Sequence, residues 1–253
     1  MKKPFAITLD VGSSLANRTG SWRTERPVYL DRLPPCNATC AAGENIQQWL
    51  FHAEEGAYEA AWRIITQDNP LPAIMGRVCY HPCETACNRG QLDESVGINA
   101  VERFLGDEAN RQNWQFAPVT RDSGKRVMVV GSGPAGLSAA YHLRCQGHAV
   151  VILEAESESG GMMRYGIPEY RLPRDILAGE IDIVRQMGAD IKCGVTFGTD
   201  VTLESLKADG YSACFLAIGL HGGRRLGVEN EDTAGVLQGV DGHTTLLINT
   251  HED

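Results

Sequence analysis

Five of the eight cysteines in this 253-residue chain lie in one short stretch. They occur as Cys36-Asn-Ala-Thr-Cys40 and as Cys79-Tyr-His-Pro-Cys83-Glu-Thr-Ala-Cys87, with three residues between neighbours in each group. Thiolates bind iron–sulfur clusters and zinc, and disulfides are rare in a reducing cytosol, so the clustering predicts a metal or redox site. Zinc is the alternative, although the two-residue spacing usual between paired zinc ligands is absent. The scattered cysteines are predicted to be small buried apolar residues: Cys145, Cys193 and Cys214.

A glycine-rich turn supplies the second chemical signal. Gly131-Ser-Gly133-Pro-Ala-Gly136 follows an apolar run and opens a helical pattern, and Glu154 ends the next apolar run, 18 residues beyond Gly136. In a dinucleotide site the first glycine permits the tight turn, the second admits a pyrophosphate and the third lets helix and strand pack closely. The pyrophosphate binds amides at the helix N-terminus, and Glu154 accepts hydrogen bonds from ribose hydroxyls. A purely structural glycine turn is the alternative.

Three segments that differ in their pattern of apolar residues must position these residues. Residues 1–35 show little periodicity and are predicted to form an extended arm. Residues 36–118 carry apolar residues at helical spacing, which predicts a small all-helical domain around the clustered cysteines. Residues 119–253 alternate strands with helices, which predicts a parallel sheet covered by helices. The fold class is therefore α+β overall, a helical domain followed by an α/β Rossmann-like domain. The predicted strands are Arg126–Val130, Ala149–Leu153, Asp190–Cys193 and Tyr211–Ile218.

Composition excludes several classes of function. Thirty-two acidic residues against 23 basic ones give a net charge of −9, so the basic surface of a nucleic-acid binder is not expected. No apolar run approaches the roughly 20 residues of a membrane span. Asp10 interrupts the first apolar stretch, which is not typical of a signal peptide. We therefore expect a cytoplasmic protein with no membrane span.

The segment after Glu154 carries a family resemblance. Residues 160–173, Gly-Gly-Met-Met-Arg-Tyr-Gly-Ile-Pro-Glu-Tyr-Arg-Leu-Pro, closely resemble the FAD-binding segment of the small subunit of glutamate synthase. They are also similar to the N-terminal half of dihydropyrimidine dehydrogenase and to flavin subunits of aldehyde and 2-oxoacid oxidoreductase complexes. Residues 76–89 resemble the iron–sulfur signature of this family, and Cys36 and Cys40 match its upstream pair. The resemblance covers about residues 12–240 and implies FAD at the glycine turn and a [4Fe–4S] cluster in the helical domain.

The resemblance implies a set of FAD contacts. Residues 215–219 look like the family strand that passes near FAD, and Val195 matches a position whose backbone meets the adenine, a plain strand-end valine being the alternative. Arg164 follows the paired glycines and is expected to contact phosphates or a partner, with solvation at the surface as the alternative. The expected cofactor-binding residues are Gly131, Gly133, Pro134, Ala135, Gly136, Glu154, Ala155, Gly161, Met162, Arg164, Val195, Ala217 and Gly219.

The same resemblance implies one cluster rather than two. Family members with two clusters carry an extra cysteine pair upstream of Cys36, and two cubes need about eight ligands. Three thiols are implied as ligands of the single cube, namely Cys40, Cys79 and Cys83. The fourth ligand of the cube is left open between Cys36, Cys87 and Glu102. Glu102 matches a non-cysteine ligand in relatives. A solvated position on a helix face is the alternative for Glu102.

The implied function is electron transfer in a multi-subunit oxidoreductase. FAD exchanges a hydride with a nicotinamide cofactor and the cluster passes single electrons, so no side chain needs to act as an acid or a base. Relatives continue into an NAD(P)H domain that residues beyond about 240 do not resemble. We therefore expect a truncated chain or one completed by a partner, with NAD(P)H as a substrate of the full complex. A larger catalytic or ferredoxin-like subunit is the expected partner. The alternatives are a non-catalytic docking or assembly subunit and an FAD module with a zinc-stabilised helical domain.

Overall fold

The computed structural model describes residues 33–223, 227–229 and 233. Almost all of the predicted arm over residues 1–35 lies outside these residues. The first part of the described chain is helical, as the periodicity predicts. Its helices are α1 (Pro35–Thr39), α2 (Ile46–Glu54), α3 (Tyr58–Ile65), α4 (Pro72–Val78), α5 (Pro82–Thr85) and α6 (Ile98–Gln112), with a 3₁₀ turn at Asn88–Gln91.

The second part is a four-stranded parallel sheet with order β3-β2-β1-β4. Its strands are β1 (Arg126–Val130), β2 (Ala149–Leu153), β3 (Ala189–Lys192) and β4 (Ala213–Leu216). Its helices are α7 (Pro134–Cys145), α8 (Met162–Tyr165), α9 (Arg174–Gln186) and α10 (Leu203–Ala208). The strand predicted over residues 211–218 is shorter than expected, because Leu216 pairs with Val130, where β1 itself ends. The chain runs from β1 outward to β3 and then returns to β4 on the other side of β1, which opens a crevice at the carboxyl ends of β1 and β4.

Proline explains the helices that the periodicity does not predict. Pro35, Pro72 and Pro82 each occupy the first position of their helices, α1, α4 and α5. Proline is favoured there because its missing N–H has no helical partner at that position. Pro72 therefore begins a helix rather than breaking one.

The helical part and the sheet part share one hydrophobic core. Leu71 and Ile74, at the beginning of α4, belong to the same buried cluster as Val129 and Leu177. Phe116, in the connection between the two parts, stacks on Trp62 at 5.3 Å and packs against Tyr141 at 4.7 Å between ring centroids. The two parts therefore pack against each other, while the connection at residue 118, where the boundary is expected, is exposed.

Helices α4 and α6 cross at contact distance because glycine lies at the crossing. A Cβ on Gly106 would lie 2.3 Å from the amide nitrogen of Ala73, and one on Gly76 would lie 2.5 Å from the Cα of Arg103. The backbones therefore touch, and α6 fixes the direction of α4. Cys79 follows α4 directly as its C-cap.

Among the described residues, no helix is both long enough and apolar enough to cross a bilayer. All eight cysteines lie in the described part and are free thiols. The expectation that the three scattered cysteines are buried is wrong, because Cys145 is exposed and Cys193 and Cys214 are half-buried. Cys145 ends α7, and Cys193 and Cys214 lie just after β3 and within the edge strand β4, where little covers them.

Candidate functional site

The three glycines of the turn between β1 and α7 meet different surroundings. Gly131 has φ of 104°, and a Cβ there would lie 2.3 Å from the carbonyl oxygen of Ala217. A Cβ on Gly136 would lie 1.8 Å from the carbonyl oxygen of Gly131. A Cβ on Gly133 would meet no described atom within 4 Å. The first and third glycines are therefore required by the fold, whereas Gly133 faces open space.

The open space over Gly133 lies at the N-terminus of α7. Helix α7 has Gly133 as its N-cap and Pro134 at its first position, and no side chain from the described residues caps it. The first-turn amides of a helix lack partners within that helix and attract anions. The position of Pro134, Ala135 and Gly136 is thus one at which a pyrophosphate fits.

Glu154 lies directly after β2 beside the same turn, with 7% of its surface exposed. Its Oε2 accepts hydrogen bonds from the amide of Ser132 at 3.0 Å and from the Ser132 hydroxyl, and its Oε1 accepts one from the amide of Glu156 at 3.0 Å. A carboxylate has about four acceptor positions. Contacts among the described residues use three of them, which leaves one.

Ser132 connects the two glycine segments and was not singled out from the sequence. It is fully buried, and its hydroxyl also accepts a hydrogen bond from the amide of Gly160 at 2.9 Å. Gly161 packs so closely on the turn that a Cβ there would lie 2.8 Å from the Cα of Gly133. The paired glycines thus border the open space. A small hydroxyl residue between two glycines was the available sequence signal.

Residues after the paired glycines form the short helix α8. Arg164 donates to the carbonyl of Ser159 at 2.7 Å and pairs with Glu158 at 3.2 Å. Its side chain is 15% exposed, so the alternative of a solvated surface residue is wrong. Met162, at the beginning of α8, is 44% exposed.

The remaining predicted FAD contacts lie at the same edge of the sheet. The amide of Val195 donates to the carbonyl of Glu154 at 2.9 Å, which places Val195 beside the segment that continues into Ala155. The amide of Ala217 donates to the carbonyl of Val130 at 2.7 Å. Gly219 is exposed and has φ of 72°. Because the strands are parallel, all of these positions lie at the same carboxyl edge of the sheet.

The clustered thiols lie in the helical part. Cys83, on α5, is 8% exposed, and half-buried Cys36 and Cys40 pack against the same apolar cluster. Burial raises the pKa of the Cys83 thiol to about 12, with the neighbouring charges of Cys40, Glu84 and Cys79 adding to the shift. Three thiols from two segments therefore influence one another.

Backbone amides lie against four of the clustered thiols. Cys40 accepts from Glu44 and Cys83 from Glu84, and Cys79 and Cys87 have donors of their own. The amide of His81 donates to the Sγ of Cys79 at 3.4 Å. Hydrogen bonds from the backbone of Val96 and Arg89 lower the pKa of Cys87. N–H donors of this kind stabilise thiolates and tune the potential of iron–sulfur clusters. Within the described chain, no three His, Cys, Asp or Glu side chains come together as ligands of a single metal ion. The cysteine ligands of a four-iron cube each bind a different iron, so they need not converge on one point as the ligands of a single zinc ion do.

Glu102 belongs to a buried polar group. It is 7% exposed and accepts a hydrogen bond from the Nδ2 of Asn69 at 2.9 Å, so the alternative of a solvated helix face is wrong. The same Nδ2 donates to Glu44 at 2.9 Å, and Glu44 also accepts from the indole of Trp49 at 3.1 Å. Burial raises the pKa values of both carboxyl groups. Glu44 also lies beside Cys40, because the Cys40 thiol accepts a hydrogen bond from the backbone amide of Glu44. Glu44 and Asn69 could not be identified from the sequence, because only their partners in space mark them.

Two family models match segments of the chain. Residues 24–114 match dihydropyrimidine dehydrogenase domain II with its 4Fe-4S cluster, and residues 129–174 match an NAD(P)-binding Rossmann-like domain. These matches and the parallel sheet confirm the predicted fold class.

Curated relatives match most of the chain. The NADP(+)-dependent formate dehydrogenase subunit beta of Moorella thermoacetica is 41% identical over 81% of the chain and 32% of its own length. The glutamate synthase [NADPH] small chain of Mycobacterium tuberculosis is 36% identical over 83% of the chain and 43% of its own length. The NAD-dependent dihydropyrimidine dehydrogenase subunit PreT of Escherichia coli is 37% identical over 76% and 47%. The predicted resemblance is confirmed, and the chain spans a third to a half of the length of these relatives.

Proposed function

We propose, from its similarity to flavin and iron–sulfur subunits of NAD(P)H-linked oxidoreductases, that this chain is an electron-transfer subunit that binds FAD and one [4Fe–4S] cluster. When bound, FAD exchanges electron pairs as hydride and the cluster exchanges single electrons, so together they convert between the two kinds of carrier. One observation carries the proposal: an open glycine turn and three thiols whose charges influence one another occur in two parts of the chain that a buried apolar cluster joins.

The proposed FAD site is the crevice over Gly133. The amides that begin α7 face the pyrophosphate, and the remaining acceptor position of Glu154 faces the adenosine ribose. Such a turn accommodates NAD(P) as well as FAD. The segment 160–173 favours FAD, because it resembles the flavin-binding segment of relatives and packs on the turn at Gly133. The proposed contacts are those predicted from the sequence.

The proposed cluster site is formed by Cys40, Cys79 and Cys83. Burial raises the pKa values of Cys40 and Cys83, so these two thiols hold protons in the absence of metal and release them when they bind iron as thiolates. Glu102, Cys36 and Cys87 are the proposed alternatives for the fourth ligand. Glu102 is buried and reaches the Cys40 segment through Asn69 and Glu44.

Nicotinamide and partner subunits complete the proposal. The names of the relatives include NADPH, NADP(+) and NAD, and describe beta subunits and small chains. We infer that NAD(P)H is the pyridine nucleotide of the whole complex and that a larger catalytic or ferredoxin-like subunit takes part. Five free thiols clustered in one domain suit a reducing compartment, so the cytoplasm is the proposed location.

Anaerobic purification followed by iron, sulfide, zinc and flavin quantitation tests the proposal. About four irons, four sulfides and one FAD per chain are expected. A Cys79→Ser variant should lose iron and keep FAD, whereas Cys145→Ser, which removes an exposed thiol outside the cluster, should keep both. One zinc without sulfide would support a zinc-stabilised FAD module instead. A folded wild-type chain with neither iron nor flavin would indicate a non-catalytic docking subunit.

A further inference from the structure

A buried carboxylate joins the sheet part to the helical part at the beginning of α4. Glu180 lies on α9 and is 3% exposed. Its Oε1 accepts a hydrogen bond from the amide of Ala73 at 2.6 Å, and its Oε2 accepts one from the amide of Ile74 at 3.0 Å. First-turn amides have no partner within their own helix. Glu180 therefore supplies these acceptors from more than 100 positions further along the chain.

The beginning of α4 is also held from the side of α6. Arg77 donates to the carbonyl of Ala73 at 2.8 Å and pairs with Asp107 at 2.7 Å. Gly106 lets the backbone of α6 touch Ala73. Helix α4 is thus fixed between α6 and α9, and the chain passes directly from its end into Cys79.

We propose that Glu180 is a positioning residue for the iron–sulfur cluster, because it fixes α4, and with it Cys79, against the sheet part. This inference rests on the proposed function, in which Cys79 is a cluster ligand. The six steps from Ala73 to Cys79 span about 9 Å at 1.5 Å per residue. A tilt of about 10° at the beginning of α4 therefore moves Cys79 by roughly 1.5 Å. Movement on that scale changes iron–thiolate geometry and the N–H donors to sulfur, both of which set the cluster potential.

The variant Glu180→Gln tests this role with minimal change in volume. The amide oxygen of the glutamine side chain can accept one of the two hydrogen bonds. Its NH₂ group is a donor and faces the second backbone N–H, which is also a donor, so the second hydrogen bond is lost. The measurement is made at about pH 9, above the pKa of about 8 to which burial raises Glu180, so that the side chain is a carboxylate. Loss of one of its two buried hydrogen bonds is then expected to speed hydrogen exchange of the α4 amides at least about tenfold. With iron and FAD still bound, the electron paramagnetic resonance spectrum of the reduced cluster and its midpoint potential should differ from wild type.

Tyr141→Phe is the matched control. The Tyr141 hydroxyl donates to the carbonyl of Thr66, so this variant also removes a buried contact between the two parts, but one outside α4. It should lower stability and leave the cluster spectrum and potential unchanged. Should Glu180→Gln not fold, Glu180→Asp retains the charge, while its carboxylate falls short by roughly the 1.5 Å of one carbon–carbon bond. The same changes are then expected.

Each result decides between positioning and general stabilisation. A wild-type spectrum and potential in loaded Glu180→Gln, or an equal shift in Tyr141→Phe, would overturn the inference. A wild-type chain without iron would refute the proposed function and the inference together. A loaded wild type with an unaffected Glu180→Gln would refute the inference alone.

Discussion

Replacement of Gly133 by alanine separates a cofactor-binding turn from a structural one. The φ of −68° and ψ of −178° at Gly133 are allowed for alanine, and the new Cβ would meet no described atom within 4 Å. Loss of glycine at an N-cap costs about 1 kcal/mol. The reduced freedom of the unfolded chain offsets this by about 0.4–1 kcal/mol. The free energy of unfolding should therefore change by less than about 1 kcal/mol.

FAD affinity should respond far more strongly to Gly133→Ala. The methyl group would occupy the space in which the pyrophosphate approaches the first-turn amides of α7. Loss of one hydrogen bond to a charged phosphate costs about 1.5–3 kcal/mol, which weakens binding roughly 10- to 150-fold. Titration of the flavin-free chain with FAD, followed by flavin fluorescence, gives the dissociation constant, and urea unfolding gives the stability.

Gly136→Ala provides the contrasting control. Its Cβ would lie 1.8 Å from the carbonyl oxygen of Gly131, so the variant should lose stability by about 1–3 kcal/mol or more even without FAD. The reasoning is refuted if Gly133→Ala binds FAD with wild-type affinity. It is equally refuted if Gly133→Ala unfolds as readily as Gly136→Ala.

Three further predictions follow from buried polar groups. Ser132→Ala leaves Glu154 and the amide of Gly160 without the hydroxyl that they share. Urea unfolding should show a free energy of unfolding lower by about 1–3 kcal/mol, and FAD affinity should fall as well. If both values are unchanged, Ser132 is not part of the site. Burial raises the pKa of Glu180 from 4.5 to about 8; the negative charge of Asp107 adds to this shift and the positive charge of Arg77 opposes it. The charge of Glu180 in turn contributes to the raised pKa of Glu102. The folded chain therefore keeps a proton on Glu180 at pH values where the unfolded chain has released it. The free energy of unfolding should fall as pH rises from 4.5 to about 8. Glu180→Gln should make this fall smaller, which urea unfolding at about pH 5 and pH 8 measures. The fourth ligand can be identified by comparing three variants, Glu102→Ala, Cys36→Ser and Cys87→Ser, in iron content and in the spectrum of the reduced cluster. Only the variant that lacks the ligand should change both. An unchanged spectrum in all three would mean that the ligand is another residue.

Local patterns were sufficient to predict the elements that surround the glycine turn. The strands β1 and β2 occur with their predicted bounds, because each is a short apolar run ended by glycine or a charged residue. The role of Gly136 follows from its contact with Gly131 inside the turn, whereas the contact that constrains Gly131 is with Ala217, far along the chain. The helices that begin with Pro35, Pro72 and Pro82 were not predicted, since proline both ends helices and begins them.

The residues that complete the two sites depend on partners far along the chain. Glu102 lies on an amphipathic helix, and only Asn69, 33 positions earlier, shows that its carboxylate is buried and hydrogen-bonded. Ser132 acts through Glu154 and Gly160, which lie 22 and 28 positions later. A buried polar residue is stable only with its partners, and a single sequence does not show which residues those are.

The shared core makes the two proposed cofactor sites parts of one folding unit. Leu71 and Ile74 of the helical part are buried with Leu177 of α9, and Glu180, one turn further along α9, bonds the amide of Ile74. Removal of the sheet part would expose those apolar side chains and leave first-turn amides of α4 without acceptors, at about 1–3 kcal/mol for each buried group left unpaired. The cysteine segment after α4 therefore depends on the Rossmann-like part for its position. Electron transfer between two fixed centres requires such a constraint, because a change in their separation changes the rate.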